Sequence, residues 1–198
     1  MKVKLRVNDV DEDLLMRVME IRFADKSITT PIKSLNRTVP VAGINEVFRR
    51  INLEKISLIS SDASVEMKFN TTARRERKED MINLFFLSYK EDRVPGKNSM
   101  STLADLQYVN SDLAIMPLCP EIIKSHKGED LINRFVFFIE EYLKIVETLN
   151  NKTIVGIIPA RLPRQFLSTI LELYHSHDIT SFVIDSDGSS LYSNTSWI

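Results

Sequence analysis

Asp185 and Asp187 stand two residues apart just after the last apolar run of the chain, and Gly188 follows them. Carboxylates so placed can hold a divalent cation or divide acid and base roles between them. The plainer account is turn chemistry, because Asp before Gly is a common turn pair. Asp62, after the apolar run Ile56 to Ile59, has the same two readings. Arg161 and Arg164 flank Pro163 where a helix is expected to start, so they suit a phosphate held jointly with backbone N–H groups, or are ordinary exposed arginines. Arg74, Arg75, Arg77 and Lys78 crowd one polar stretch that suits nucleic-acid phosphate. Glu76, Glu79 and Asp80 interrupt it, which equally describes a solvated helix with mixed charge pairs. Cys119, between Pro117 and Pro120, is either a ligand contact at a strand mouth or a small buried hydrophobe. His126, His175 and His177 lack the spacing of a zinc site, so no metal is expected. Only 5 glycines occur, with no dinucleotide fingerprint and no Walker loop, so no cofactor is implied.

Such groups need elements to position them. The apolar runs Leu113 to Met116, Ile154 to Ile158 and Phe182 to Ile184 alternate with long amphipathic stretches, which predicts strand, helix, strand, helix, strand in a parallel α/β unit. In such sheets ligands lie beyond the carboxyl ends of the strands. The intervening helices are expected from Asp130 to Leu149, with Leu131, Phe135, Phe138, Ile139, Tyr142, Val146 and Leu149 inward, and from Pro163 through Phe166, Ile170, Leu173 and Tyr174. Upstream, Leu14, Leu15, Val18 and Met19 suggest a helix after an acidic cluster. Met19 to Phe23 and Ile28 to Thr30 suggest a hairpin closed by Pro31. Further strands are read near Ile32 to Leu35, Ile56 to Ile59 and Met81 to Leu87, and a half-exposed one over Val65, Met67 and Phe69. Ile44 to Ile51 reads as a short helix, Thr71 to Asp80 as a solvated helix, and Lys90 to Ser101 as a punctuated loop that either closes over ligands or merely connects.

The expected architecture is one α/β domain over residues 1–198, with residues 1–30 as a helix and hairpin attachment and residues 31–198 as β/α units. About six parallel strands are short of the eight of a closed barrel, so the fold class is a parallel sheet forming an incomplete or truncated TIM-type barrel, with self-association through an open edge expected. Lys and Arg number 26 against 27 acids, which excludes a strong overall field for nucleic acid but not a local patch. One cysteine and no secretory leader suit a cytoplasmic chain, and no run is long and apolar enough to suggest a membrane span.

Ile21 to Pro31 with Leu35 to Pro40, Asp112 to Cys119, Gly156 to Arg161 and Phe182 to Gly188 together resemble the amino-terminal part of the tRNA-guanine transglycosylase barrel, in its queuine or archaeosine form. Thr30 and Pro31 are similar to the end of that family's opening hairpin, and Gly156 and Ile157 to its Gly-Ile strand. The resemblance implies a nucleobase or RNA as partner, with Asp62, Cys119, Arg161, Asp185 and Asp187 as substrate contacts and Arg74, Arg75, Arg77 and Lys78 toward nucleic acid. Leu84 to Asp92 has no counterpart of the family's Asp-Ser-Gly-Gly signature. Pro117 or Leu118 falls where its second base-reading acid stands, and Pro159, Ala160 and Arg161 replace its glutamine and glycines. Its nucleophilic aspartate and zinc cysteines would lie beyond Ile198. The resemblance therefore implies a non-catalytic relative, or a piece acting with a further C-terminal domain. Two other readings remain open: a small-molecule α/β enzyme using the mouth acids with a cation, and a binding or assembly module that uses its sheet edge and a tail containing Trp197.

Overall fold

The computed structural model describes residues 4–11, 16–23, 25–29, 43–149 and 152–186. Strands β1 (Lys4–Asp11), β2 (Met16–Phe23) and β3 (Lys26–Thr29) form an antiparallel sheet in chain order. The expected hairpin is β2–β3, with Phe23 opposite Lys26 and Ile21 opposite Ile28. The helix expected through Val18 and Met19 is not there; both residues sit in β2 and pair with Asp9 and Val7 of β1. Apolar spacing that suits a helix also suits a strand once a partner supplies the ladder. Leu14, Leu15, Thr30, Pro31, the strand expected near Ile32 to Leu35, Asp187 and Trp197 lie outside the described residues.

The main body is parallel. β4 (Gly43–Ile51) and β5 (Met81–Tyr89) pair residue for residue from Gly43 and Met81 to Ile51 and Tyr89. Ile44 to Ile51 is therefore a strand and not the expected helix: Ile44, Val47, Phe48 and Ile51 fall at helical intervals, yet the ladder to an apolar neighbour decides the conformation. β6 (Ala114–Ile115), β7 (Ile154–Pro159) and β8 (Phe182–Asp185) form a second parallel group. The two groups join where Leu118 donates to Leu87 O and accepts from Tyr89 N, both at 2.8 Å. Spatial order thus follows chain order from β4 to β8. Among the described residues β4 pairs with β5 and β8 with β7, so the strands form an open strip and not a closed barrel.

Helices α1 (Leu53–Ser61) and α2 (Ala63–Arg75) connect β4 to β5, and α3 (Lys97–Asn110) connects β5 to β6. Next, α4 (Pro120–Ser125) and α5 (Gly128–Val146) lead to β7, and α6 (Leu167–Ser176) to β8. α1 packs on α3 and α3 on α5, so the helix layer repeats the order of the strands. Two expected strands are helical. Ile56 and Ile59 lie three apart on the buried face of α1, whose first turn is capped by Asn52 Oδ1 accepting from Lys55 N. In α2 the alternation of Val65, Met67 and Phe69 is broken by burial: Val65 and Phe69 pack on the core while Met67 is 69% exposed. The basic helix expected to run to Asp80 stops at Arg75 and turns into β5. The loop expected over Lys90 to Ser101 ends early, since Lys97 opens α3 and Met100, Leu103 and Ala104 are fully buried.

β6 is too short to satisfy the edge of β5, and side chains complete the ladder. The backbone N–H of Asn83 donates to Asp112 Oδ2, that of Phe85 to Ser111 Oγ and that of Leu87 to Gln107 Oε1, while Gln107 Nε2 donates to Phe85 O. Gln107 and Ser111 are completely buried, which backbone groups of a splayed sheet require if they are to keep partners. Tyr174 serves β7 likewise: its hydroxyl accepts from Ile157 N at 3.0 Å and lies 2.9 Å from Ile157 O. No helix among the described residues is long and apolar enough to cross a membrane.

Candidate functional site

At the amino ends of the parallel strands the polar groups satisfy one another. Asp112, just before β6, accepts from Asn83 N at 2.7 Å and from Lys26 Nζ at 3.1 Å, and Arg77 bonds its other oxygen. Asn45 Nδ2 donates to Asn83 Oδ1 at 2.9 Å, and Asn83 Nδ2 donates to the carbonyls of Lys78 and Met81. Burial alone would push the Asp112 carboxyl up; the Asn83 N–H, the Lys26 ammonium and the Arg77 guanidinium outweigh it and hold the group below the usual carboxylate range. Lys152, ahead of β7, donates to the carbonyls of Tyr108 and Ser111, and burial pulls its ammonium below the usual lysine range. This cluster ties the first helices to the sheet.

Arg77, expected to face nucleic acid, belongs to that network and is corrected to a structural cation. Its charge is spent inside the fold, on Asp112. Arg74, Arg75 and Lys78 are exposed beside it, at the end of the sheet opposite the strand mouths. The two arginines stand in the last turn of α2, where cations complement the helix dipole. Asp62 is corrected as well. It follows α1 and not a strand, and its Oδ1 caps α2 by accepting from Ser64 N at 2.8 Å.

The carboxyl ends are different. β7 stops at Pro159, and Leu162 N returns to Pro159 O at 2.9 Å, which puts Arg161 at the exposed apex of a tight turn. Ala160 N donates to Asp185 O at 2.9 Å, so Asp185, the last residue of β8, lies beside that turn. Arg161 and Asp185 therefore lie close together beyond the strand ends. With Pro120, Ile123 and Pro159 they line a pit of about 10 Å³, room for a water molecule and not for a nucleobase. Cys119 lies just behind, 2% exposed; burial, reinforced by the charge of Asp185, pushes its thiol far above the ordinary range. It is a packed side chain, corrected from a substrate contact.

Next to the pit opens a groove of about 550 Å³, lined by Ile123, Lys124, His126, Lys127, Gly128, Leu131, Arg161 and Pro163. Its cations come from three segments: Lys124 from α4, Lys127 from the link to α5, and Arg161 from the turn after β7. Among the described residues no acid lines it. Gly128 turns the chain into α5 at φ 57°, a left-handed conformation glycine adopts without strain, and a Cβ there would meet nothing within 4 Å. Ile123, Leu131 and Pro163 supply an apolar wall. Lys124, Lys127 and Gly128 were missed as site residues, although Lys-Ser-His-Lys-Gly after a strand and a proline is a readable basic cluster. Among the described residues there is no group of three or more His, Cys, Asp or Glu that could hold a metal ion. Comparison with known proteins finds no matching family model, no similar curated protein and no similar solved structure.

Proposed function

We propose that this chain is a non-catalytic, transglycosylase-like domain of barrel-type winding that handles RNA, with a phosphate of the strand received in the groove beyond β7. The observation that carries this reading is the convergence of Lys124, Lys127 and Arg161, from three separate segments, on one open groove. The size of the groove falls in the range of ligand pockets, and its place past the carboxyl ends is where α/β sheets bind ligands. Strands following one another in chain order under one helix layer are also what the opening units of a β/α barrel require.

Fluorescence anisotropy of a labelled single-stranded RNA tests the reading. About three phosphate contacts give a log–log salt slope of roughly −2, so affinity should fall about 20-fold when salt is raised fourfold. Absence of binding at low salt, or binding indifferent to salt, removes the proposal. No base exchange is expected of this chain alone, and incorporation of labelled guanine into tRNA would overturn the non-catalytic part. A second reading, an assembly module, is favoured by Phe182 and Ile184, which stand 37% and 51% exposed on edge strand β8. Concentration-dependent sedimentation without RNA binding would favour it over the first.

A further inference from the structure

We infer that β1 is a self-recognition edge: two copies of the chain join by antiparallel pairing of β1 with β1 about a twofold axis, with Lys4 opposite Asp11 and Arg6 opposite Asp9 of the second copy. The inference is independent of the RNA reading and concerns a different edge from β8. β1 is the outer strand of the antiparallel sheet, and among the described residues only its inner edge is paired, with β2. Its residues run Lys4, Leu5, Arg6, Val7, Asn8, Asp9, Val10, Asp11, with both cations in the first half and both acids in the second. Turned end for end, such a strand is its own complement. Lys4 falls opposite Asp11, Leu5 opposite Val10, Arg6 opposite Asp9 and Val7 opposite Asn8, so every position is used. Opposite charges facing each other across an antiparallel pair attract and like charges repel, whereas a parallel copy in register would set each cation against itself.

The register with β2 lines these positions up. Lys4 and Arg6 pair with Arg22 and Glu20; Asn8 is the extra residue of a bulge, and beyond it Asp9 and Asp11 pair with Val18 and Met16. Positions 4, 6, 9 and 11 therefore all oppose even-numbered positions of β2, which share one face. Without the bulge, 9 and 11 would alternate onto the other face. Both copies carry the same extra residue, so the ladder between them loses no partner to it. Across β2, Arg22 is ion-paired with Glu20 at 2.9 Å. Lys4 opposes the cation of that pair, and an acid brought by a second copy relieves the like-sign contact. Val7, beside the twofold axis in this register, is 49% exposed. Bulges and charges also protect edge strands from association, but charges that serve that end must repel a copy of their own strand, and these attract it. The sheet is anchored to the body, since Lys26 Nζ donates to Met81 O at 2.6 Å and to Asp112 at 3.1 Å and Ile28 is buried. Pairing at β1 thus joins two whole chains through one sheet of three strands from each.

Sedimentation equilibrium of the full chain at low salt tests this. Eight paired residues make a small interface, so a reversible monomer–dimer equilibrium should be seen between about 5 and about 300 μM. It should weaken as salt rises, because exposed pairs are screened. Arg6→Asp alone and Asp9→Arg alone should each dimerise at least about tenfold more weakly, since the twofold axis doubles each like-sign contact. An equimolar mixture of the two variants should recover the dimer, because one chain then carries acids at both positions and the other carries cations at both. Recovery also shows that both variants fold. Lys4→Glu mixed with Asp11→Lys repeats the test at the strand ends, with an acid now facing Arg22. A native chain that stays monomeric throughout, or mixtures that fail to recover where the native chain dimerises, would overturn the inference. So would a dimer abolished by Phe182→Asp and indifferent to Arg6→Asp, which would place the contact at β8. None of these readouts involves RNA, so failure here leaves the reading of the groove untouched.

Discussion

The two ends of the parallel sheet are built on opposite plans. At the amino ends Asp112, Asn83, Asn45, Arg77 and Lys26 are one another's partners, and acids meet cations at bonding distance. At the carboxyl ends Lys124, Lys127 and Arg161 gather round an open groove, and Arg161 also lines, with Asp185, the water-sized pit beside it. A network whose members consume each other's hydrogen bonds fixes the fold and offers little to a ligand. The groove is open to solvent, and on the reading proposed above it is the end that meets something outside the chain.

The sharpest way to break this contrast is to remove the acid at the centre of the first end. Asp112→Ala leaves the Asn83 N–H and two cations without their acceptor; Lys26 is only 17% and Asp112 11% exposed. Removing one partner of such a buried pair costs about 3 to 5 kcal/mol, and denaturant unfolding should show it. RNA affinity of the fraction that remains folded should not change. The pH dependence has a definite sign. Because the folded carboxyl is held below its unfolded value, the stabilisation is fully present above about pH 4 and is lost as pH falls through the lower folded value. Native and variant stabilities should therefore converge in strong acid. A variant that loses less than about 1 kcal/mol at neutral pH would mean that the network is decorative.

A somewhat smaller loss tests whether side chains truly stand in for the missing strand beside β5. Gln107→Leu keeps the volume and removes both the acceptor for Leu87 N and the donor to Phe85 O. Each orphaned buried group costs about 1 to 3 kcal/mol, so the sum should be near 3 kcal/mol, with faster exchange at Leu87. In the middle of β7, Gly156→Ala should cost about 1 to 3 kcal/mol, because its Cβ would stand 2.9 Å from the buried ring of Tyr174 and 3.0 Å from Phe182. A rise in stability at Gly156 would show that the β7–β8 region relaxes more readily than its contacts suggest.

What could be read in the amino acids divides along the same chain. The second half is legible because each element has one strong period: Leu131, Phe135, Phe138, Ile139, Tyr142 and Val146 are all buried on α5, and β7 is a short apolar run between breakers. In the first half local pattern and tertiary partner disagree. Ile44 to Ile51 has helical spacing but gains eight consecutive pairs with β5, and Val65 to Phe69 alternates like a strand but follows an aspartate that caps a helix. The cap was the better signal. Of the groove and pit, Arg161 and Asp185 could be placed near one another from their positions after strands, and Lys124 and Lys127 stand in a readable basic cluster that was passed over because α4 is a single short helix with no period to draw attention to it. Asp62 and Arg77 misled for the converse reason: charge in a sequence does not say whether its partner is inside the fold.

The smallest expected change in stability carries the most information about the second end. Lys127→Ala removes an exposed cation outside the core, and substitutions of that kind stay within about 0.5 kcal/mol. Binding should respond out of proportion to this. One phosphate contact fewer makes the salt slope shallower by about 0.7 for single-stranded RNA, so native and variant curves should spread apart at low salt and converge at high salt. Arg75→Ala at the opposite end, equally exposed and equally cationic, should leave the slope unchanged. Equal effects of the two substitutions would mean that RNA reads the overall cationic surface, and the distinction between the two ends of the sheet would then concern folding alone.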